Sequence, residues 1–288
     1  MGQEVTLSPE TLRQLQMLEL ELLKEVDRIC KKNHIHYNIV AGTMLGAVRH
    51  GGFIPWDDDA DVAMLRKDYE RFREVCATEL DTTRYYFQDH KVTPGYRWGY
   101  GKLRVKNTLF LQIGREHMPY EQGVFIDIFP LDAVPDGQLH RTIVNAECFL
   151  VRKVLWSKAG IRAEQTAWKR LLCRIINKIP EKTALSWYER LIRQAKKRDT
   201  QWTRILMFPT PNRCWGYPVR WYTGVEEISF EGNIFPGVAD AKEYLRFKYG
   251  DYRILPPPEQ RKTHPVSTIK LVEPMFRRTT GNGRSKTV

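Results

Sequence analysis

No stretch of this sequence approaches the roughly 20 apolar residues that cross a bilayer, which argues against a membrane-spanning helix. Cysteine is scarce: five residues in 288 (Cys30, Cys76, Cys148, Cys173 and Cys214), odd in number and never spaced as CxxC. That excludes a disulfide framework and a cysteine zinc site, and makes a reducing, cytoplasmic setting the expectation. The seven histidines show no metal-ligand spacing. Residues 1–30 pass from polar to amphipathic without the continuous apolar stretch of a secretory signal, so none is expected. No internal repeat is visible. Acidic charge is also in deficit, with 34 Asp and Glu against 46 Lys and Arg, a net of +12. Such a balance suits nucleic acid, an anionic membrane surface or phosphate-bearing substrates.

The remainder is ordinary globular composition, long enough for one large or two modest domains with an ample core. The charge is not spread evenly. Residues 141–204 hold 16 basic and 5 acidic side chains, so +11 of the +12 lies in one 64-residue segment.

Along the chain, Ser8-Pro9-Glu10 supplies a cap, a first-turn proline and an early acid. Leu12, Leu15, Leu18, Leu22, Val26 and Ile29 follow at helical spacing, predicting a helix over 8–33. A strand is expected over 35–41, a short helix over 43–48 broken by Gly51-Gly52, and a helix over 67–80. Short strands are expected over 84–89, 97–105 and 107–113, with a turn at Lys106-Asn107, and an apolar strand over 124–129. Residues 138 to about 204 read as helical, interrupted near Gly160 and Pro180. A strand near 225–230 and a helix near 239–249 precede Pro256-Pro257-Pro258. The pattern is α+β: a catalytic core over 1–137, a basic helical region over 138–205, a segment over 206–273 completing the core, and a disordered tail over 274–288.

The chemistry concentrates in Ala41–Arg49 and Phe53–Val62. If the segment from 57 runs into a strand, Asp57, Asp59 and Asp61 point one way and Asp58 the other. Asp59 and Asp61 then stand about 7 Å apart, close enough to converge on one hard cation. Four acids in five positions repel one another if buried without a cation, although an acidic run after Pro-Trp also makes a solvated turn. Gly42-Thr43, at a strand end opening a helix, offers backbone N–H groups and a hydroxyl to an anion. Arg49 lies about two turns on; it suits a phosphate or a surface ion pair. His50 is within reach of the same site or serves structure. Asp127, inside Val-Phe-Ile-Asp-Ile-Phe, needs a metal, a cation or a salt bridge to be buried.

These residues carry a resemblance. A Gly-Thr turn, a following Asp-x-Asp and a third Asp on a neighbouring strand resemble the nucleotidyltransferase (polymerase-β-like) superfamily. Gly42-Thr-Met-Leu-Gly-Ala-Val-Arg-His50 with Gly52-Phe-Ile-Pro-Trp-Asp-Asp-Asp-Ala-Asp61 resembles the signature of the LicD family, relatives of fukutin and the fukutin-related protein. Asp68–Phe72, Phe125–Asp132, Tyr249–Tyr252 and His264-Pro265 support it; Met44 and Ala60 depart conservatively. The resemblance implies a nucleotidyltransferase-like mixed sheet flanked by helices. It also implies transfer of a phosphorylated alcohol, typically phosphocholine from a CDP-activated donor, to a sugar hydroxyl of a cell-surface glycan or its lipid-linked precursor. Asp59, Asp61 and Asp127 match the family's metal-binding and catalytic acids, for Mg²⁺ or Mn²⁺. Gly42 and Thr43 match the donor-phosphate turn, with Arg49 and Lys102 expected to balance phosphate charge. The basic segment has no counterpart to carry over. Trp168, Leu171, Leu172, Ile175, Ile176 and Ile179 form a stripe opposite Lys169, Arg170, Arg174 and Lys178. This suits either peripheral docking on an anionic membrane or a helix packing its stripe inward. A nucleotidyltransferase acting on RNA or a small molecule with a nucleoside triphosphate is the rival reading; no nucleic-acid partner is expected on the preferred one. A membrane-binding adaptor with structural acids is a non-enzymatic rival.

Overall fold

The computed structural model describes residues 4–261 and 263–275. In chain order its elements are α1 (Pro9–Asn33), β1 (Asn38–Ile39), α2 (Ala41–His50), β2 (Asp61–Leu65), α3 (Arg66–Glu79), β3 (Tyr85–Gln88), β4 (Gly101–Val105), β5 (Leu109–Gln112) and β6 (Phe125–Val134). There follow α4 (Gln138–Ala163), α5 (Ala167–Ile176), α6 (Glu181–Ala195), β7 (Trp202–Arg204), β8 (Tyr217–Pro218), α7 (Arg220–Thr223), β9 (Glu226–Phe230), β10 (Asn233–Gly237), α8 (Ala241–Tyr249) and β11 (Val266–Lys270).

The Ser8 hydroxyl accepts the Thr11 N–H at 3.2 Å, so α1 starts where its cap residue predicts. Nine strands form one mixed sheet: seven follow the order β3-β4-β6-β2-β1-β10-β9, and β7 joins at β6 with β8 paired to it. β2 and β6 run parallel at its centre, and β4 and β1 flank them antiparallel. This is the α+β, nucleotidyltransferase-like architecture that the sequence suggests. β6 is longer than its apolar run predicts because its outer edge has two partners. β4 covers 125–128 and β7 covers 132–134. Pro130 falls in the gap between them, where its missing N–H leaves no ladder bond unmade.

Other expectations change. The strand expected over 35–41 shrinks to two residues, and α2 begins at Ala41, two residues earlier than the apolar spacing suggests. α4 runs straight through Gly160 and ends at Ala163. The helical run stops at Ala195, after which β7 returns to the sheet. β10 and β11 have no counterpart in the sequence reading; β11 pairs with β5 in a separate two-stranded sheet.

The main core lies between the sheet and helices α1 to α3 and α8. A second cluster joins α4 and α6 to the far end of β6 through Val144, Cys148, Leu155, Tyr188, Leu191 and Leu206. Most of the expected tail, 276–288, lies outside the described residues. Of its first two positions, Pro274 is buried and the Met275 N–H donates to Glu21 at 2.8 Å.

Candidate active site

The acids meet because of strand register. Asp61 opens β2 directly opposite Asp127 of β6, and Lys102 of β4 lies opposite Asp127 on its other side. Directly opposed residues share a sheet face, so Lys102, Asp127 and Asp61 form a row across three strands. Lys102 is fully buried, paired with the Asp127 carboxylate and 3.3 Å above the Phe125 ring. Burial pushes its ammonium down to about 7, against the opposing pull of Asp127. Lys102 is therefore placed on an acid rather than at an opening where phosphates would enter.

Thr43 has a positional task. Its hydroxyl accepts the backbone N–H of Asp61 at 2.8 Å, tying the start of β2 to the first turn of α2. Ala41, which begins that helix, has a left-handed φ of 50°, a costly conformation for a residue with a Cβ, and its N–H donates to the Tyr244 hydroxyl at 3.1 Å. Gly42 stands against Asp57: a Cβ there would sit 2.7 Å from the Asp57 Oδ2. The N-terminus of α2 and Asp61 open on one small cavity of about 40 Å³, which Phe129, Tyr244 and Lys248 also line.

The acidic turn at 57–60 precedes β2, which starts only at Asp61. Asp58 accepts from the His264 N–H at 2.8 Å and its ring Nδ1 at 3.0 Å. Burial opposes charge on His264, but Asp58 outweighs it and raises the imidazole to about 9. Gln16 of α1 fixes the turn by donating to the carbonyls of Asp57 (2.9 Å) and Ile54 (3.3 Å). Asp57 and Asp59 are half-buried and Asp61 is buried. All three carboxyls are pushed up, by burial first, to about 8 for Asp57 and well above the usual range for Asp61. Negative neighbours add to the rise at each: Asp59 and Asp58 for Asp57, and Asp59 and Asp127 for Asp61. At Asp59 the repulsion of Asp127 and Asp58 is opposed by His264.

Sequence reasoning missed two groups. Glu19 of α1 is buried with its Oε2 unpartnered among the described residues, and its carboxyl is pushed well up by burial and then by Asp59 and the rest of the turn. Only its place in the α1 repeat could have betrayed it, as a charge on the buried side. Lys248 of α8 is the second. Burial opposes its charge, but the Tyr244 and Tyr217 phenols and Asp61 keep the ammonium protonated. It immediately precedes the Tyr249–Tyr252 motif, yet nothing in the spacing marks it. Arg49 donates to the Tyr252 carbonyl at 2.8 Å, and His50 packs edge-on to Trp56.

The donor set fits a hard divalent cation in charge and chemistry, because Asp57, Asp59 and Asp61 carry repulsion that a cation would relieve. Among the described residues no three acidic, imidazole or thiol groups already surround one point. Binding would therefore require side-chain rotation, and Asp127 would have to share itself between Lys102 and the ion.

The repulsion can be read out. A carboxyl whose folded pKa is raised costs no stability below its unfolded value, near 4, and costs progressively more as pH rises toward its folded value. Asp57→Asn should therefore match the parent's melting temperature near pH 4 and exceed it increasingly up to about pH 8. Thermal melts of the metal-free protein across that range check this; a constant difference would show that the Asp57 charge is not the cause.

Two larger recesses share wall residues with the site's surroundings. One of about 270 Å³ is lined by Trp98, Tyr100, Arg115, Arg152, Trp156 and Phe208. The other, about 440 Å³, includes Gln112, Arg115, Trp156 and His264. They share the Arg115–Trp156 wall, and Phe208 joins the first to the Asp61 cavity. The aromatics Tyr217, Trp221 and Tyr222 are buried and serve the core. A further recess of about 480 Å³ lies elsewhere, at the opposite ends of β2 and β6 around Arg66 and Asp132.

Residues 34–156 match the family described as LicD/FKTN/FKRP, nucleotidyltransferase domain. The chain is 29% identical over 270 residues to the lipopolysaccharide cholinephosphotransferase LicD of Haemophilus influenzae, covering 91% of this chain and 98% of that protein. Shorter matches reach uncharacterized proteins of Rickettsia typhi (38% over 77 residues) and Rickettsia prowazekii (39% over 79 residues). Each spans 25% of this chain, and respectively 25% and 30% of those proteins. The acidic turn, the Gly-Thr helix start and Asp127 all fall within the matched region, so the residues of the site lie in the part of the chain that is similar to the LicD/FKTN/FKRP nucleotidyltransferase domain.

Proposed function

We propose that the protein transfers phosphocholine from CDP-choline to a sugar hydroxyl of a cell-surface glycan, lipopolysaccharide or its lipid-linked precursor. The reaction would take place in the cytoplasm, against the inner face of an anionic membrane. The observation that carries the reaction class is that Asp61, set opposite Asp127 across the β2–β6 ladder, lines one cavity with the α2 N-terminus. The choice of phosphocholine and acceptor is supported by the near-full-length similarity to a protein named a lipopolysaccharide cholinephosphotransferase.

In this reading Asp59 and Asp61, with Asp127 when released from Lys102, hold Mg²⁺ or Mn²⁺. The ion would supply charge neutralisation for the donor diphosphate and the departing CMP. The protein's own groups do the rest. The α2 N-terminus at Gly42-Thr43 presents backbone N–H groups to a donor phosphate, while Lys248 and Arg49 balance its charge. The acceptor hydroxyl attacks the phosphorus that carries choline, forming a phosphodiester; the bond to the CMP oxygen breaks, and the hydroxyl proton passes to Asp127. Arg115 and the Trp98–Trp156 recess offer a stacking and cationic surface to an anionic sugar.

Thermal shifts with Mg²⁺ across CDP-choline, CDP-ribitol, CDP-glycerol, CTP and ATP, followed by CMP release with candidate glycans, test it. Stabilisation is expected to be largest with CDP-choline and to vanish in chelator. A response confined to CTP or ATP would favour the nucleotidyltransferase reading instead.

A further inference from the structure

α5 turns its apolar stripe to solvent. Trp168, Leu171, Leu172 and Ile175 recur at i, i+3, i+4 and i+7 and so share one helix face. They are 64%, 56%, 46% and 55% exposed. The one buried residue of the helix is Cys173. Gly160 of α4 admits it: a Cβ at position 160 would stand 2.6 Å from the Cys173 sulfur. α5 is thus seated on α4 through Cys173, and Ile176 packs against the second core cluster, while Trp168, Leu171, Leu172 and Ile175 are directed outward. A stripe this long on a water-soluble helix is ordinarily packed inward.

The surroundings carry charge of one sign. Residues 153–178 contain Lys153, Lys158, Arg162, Lys169, Arg170, Arg174 and Lys178, against Glu164 alone. Lys153, Arg162, Lys169, Arg174 and Lys178 are exposed. A second copy of this chain packed symmetrically on the stripe would bring two such basic belts together, which like-charge repulsion opposes. An anionic bilayer satisfies both features: it accepts Trp and Leu at the headgroup–acyl boundary and pairs the flanking cations with lipid phosphates.

We propose that the exposed face of α5 docks the protein on an anionic lipid bilayer. This deepens the functional reading above, in which the acceptor is membrane-borne, by naming the surface. The docking itself requires neither donor nor acceptor.

The test is co-sedimentation of the full chain with vesicles of phosphatidylcholine alone or containing about 30% phosphatidylglycerol, at low and at about 0.5 M salt. Binding is expected on the anionic vesicles and to weaken with salt. Trp168→Ala with Leu172→Ala should reduce partitioning at least about tenfold, while circular dichroism and melting temperature stay at parental values because both side chains are exposed. Lys169→Gln and Arg174→Gln should each cost about fivefold. The proposal is overturned if the parent protein stays in the supernatant, if binding ignores lipid charge and salt, or if the Trp168 and Leu172 variant binds as before. It is overturned equally if light scattering finds a dimer that the variant dissolves, since the stripe then covers another copy. Loss of CMP release with vesicle binding intact would remove the transferase reading alone. Loss of vesicle binding with transfer to a water-soluble acceptor intact would remove this one alone.

Discussion

Asp61→Asn, and equally Asp61→Ala, is expected to lower the proposed phosphocholine transfer by about 10²–10³-fold or more while leaving the protein folded. Asp61 is the acid with the strongest geometric claim. It faces Asp127 across the central ladder, its backbone N–H is pinned by Thr43, and it borders the cavity at the α2 N-terminus. The substitution retains the shape of the side chain and removes a charge that its neighbours oppose. The metal-free variant should therefore melt at or above the parent temperature, and the stabilisation by Mg²⁺ that the proposed site predicts for the parent should shrink. This combination separates a functional acid from a structural one, whose loss would lower the melting temperature. CMP release and thermal melts in chelator and in Mg²⁺ measure both. Near-parental turnover would remove the aspartates from the mechanism.

Asp132→Ala should have the opposite profile: a large loss of stability with little change in turnover per folded molecule. Asp132 is fully buried at the far end of β6 and takes both arms of the Arg66 guanidinium, Nε at 2.8 Å and Nη2 at 2.5 Å. The Tyr188 hydroxyl lies 3.1 Å from Nη2. Removing one partner of such a pair leaves an uncompensated buried charge, a cost of about 3–5 kcal/mol. In a chain of this size that corresponds to a fall of roughly 5–10 °C in melting temperature. The double variant Arg66→Leu with Asp132→Leu should recover much of the loss, because an apolar pair of similar bulk avoids the stranded charge. Denaturant melts of the single and double variants provide the measurement. A double variant no more stable than Asp132→Ala would show that the pair does more than satisfy itself.

The contrast between these two aspartates reflects where each stands along the same pair of strands. Asp127 and Asp61 sit where β2 begins, beside the α2 N-terminus; Asp132 sits where β2 ends, against Arg66 at the start of α3. The acidic end holds more negative charge than its neighbours neutralise, a poor arrangement for stability and a good one for a cation. At the Arg66 end the charge is matched and sealed. That difference supports assigning chemistry to one end and structural support to the other, although the roomier recess lies at the sealed end.

Much of the site was legible before any fold was known. The Asp57–Asp61 block, the Gly42-Thr43 helix start and the lone Asp127 in an apolar run each conflict with the rule for their local surroundings, and such conflicts mark function. The partner of Lys102 was not legible, nor were Glu19, Lys248 or the Asp58–His264 contact. Each depends on residues brought together from distant positions, 206 apart for Asp58 and His264. Gly160 shows the limit in reverse. As a residue type it suggests a helix break, but inside α4 its missing Cβ is the gap that the Cys173 sulfur occupies.

By itself the sequence determined the α1 helix and its Ser8 cap, the amphipathic spacing of 168–175, the confinement of +11 to residues 141–204, and the order of acids in the turn. All of these follow from neighbours a few positions apart, whose geometry the helix and strand periods dictate. Only the tertiary structure decided that Lys102 neutralises Asp127, that Arg66 seals Asp132, and that Trp168, Leu171, Leu172 and Ile175 of the stripe face water while Ile176 and Ile179 pack against the second core cluster. Periodicity tells which side chains share a face; what covers that face is decided by elements that loop closure brings in from elsewhere in the chain.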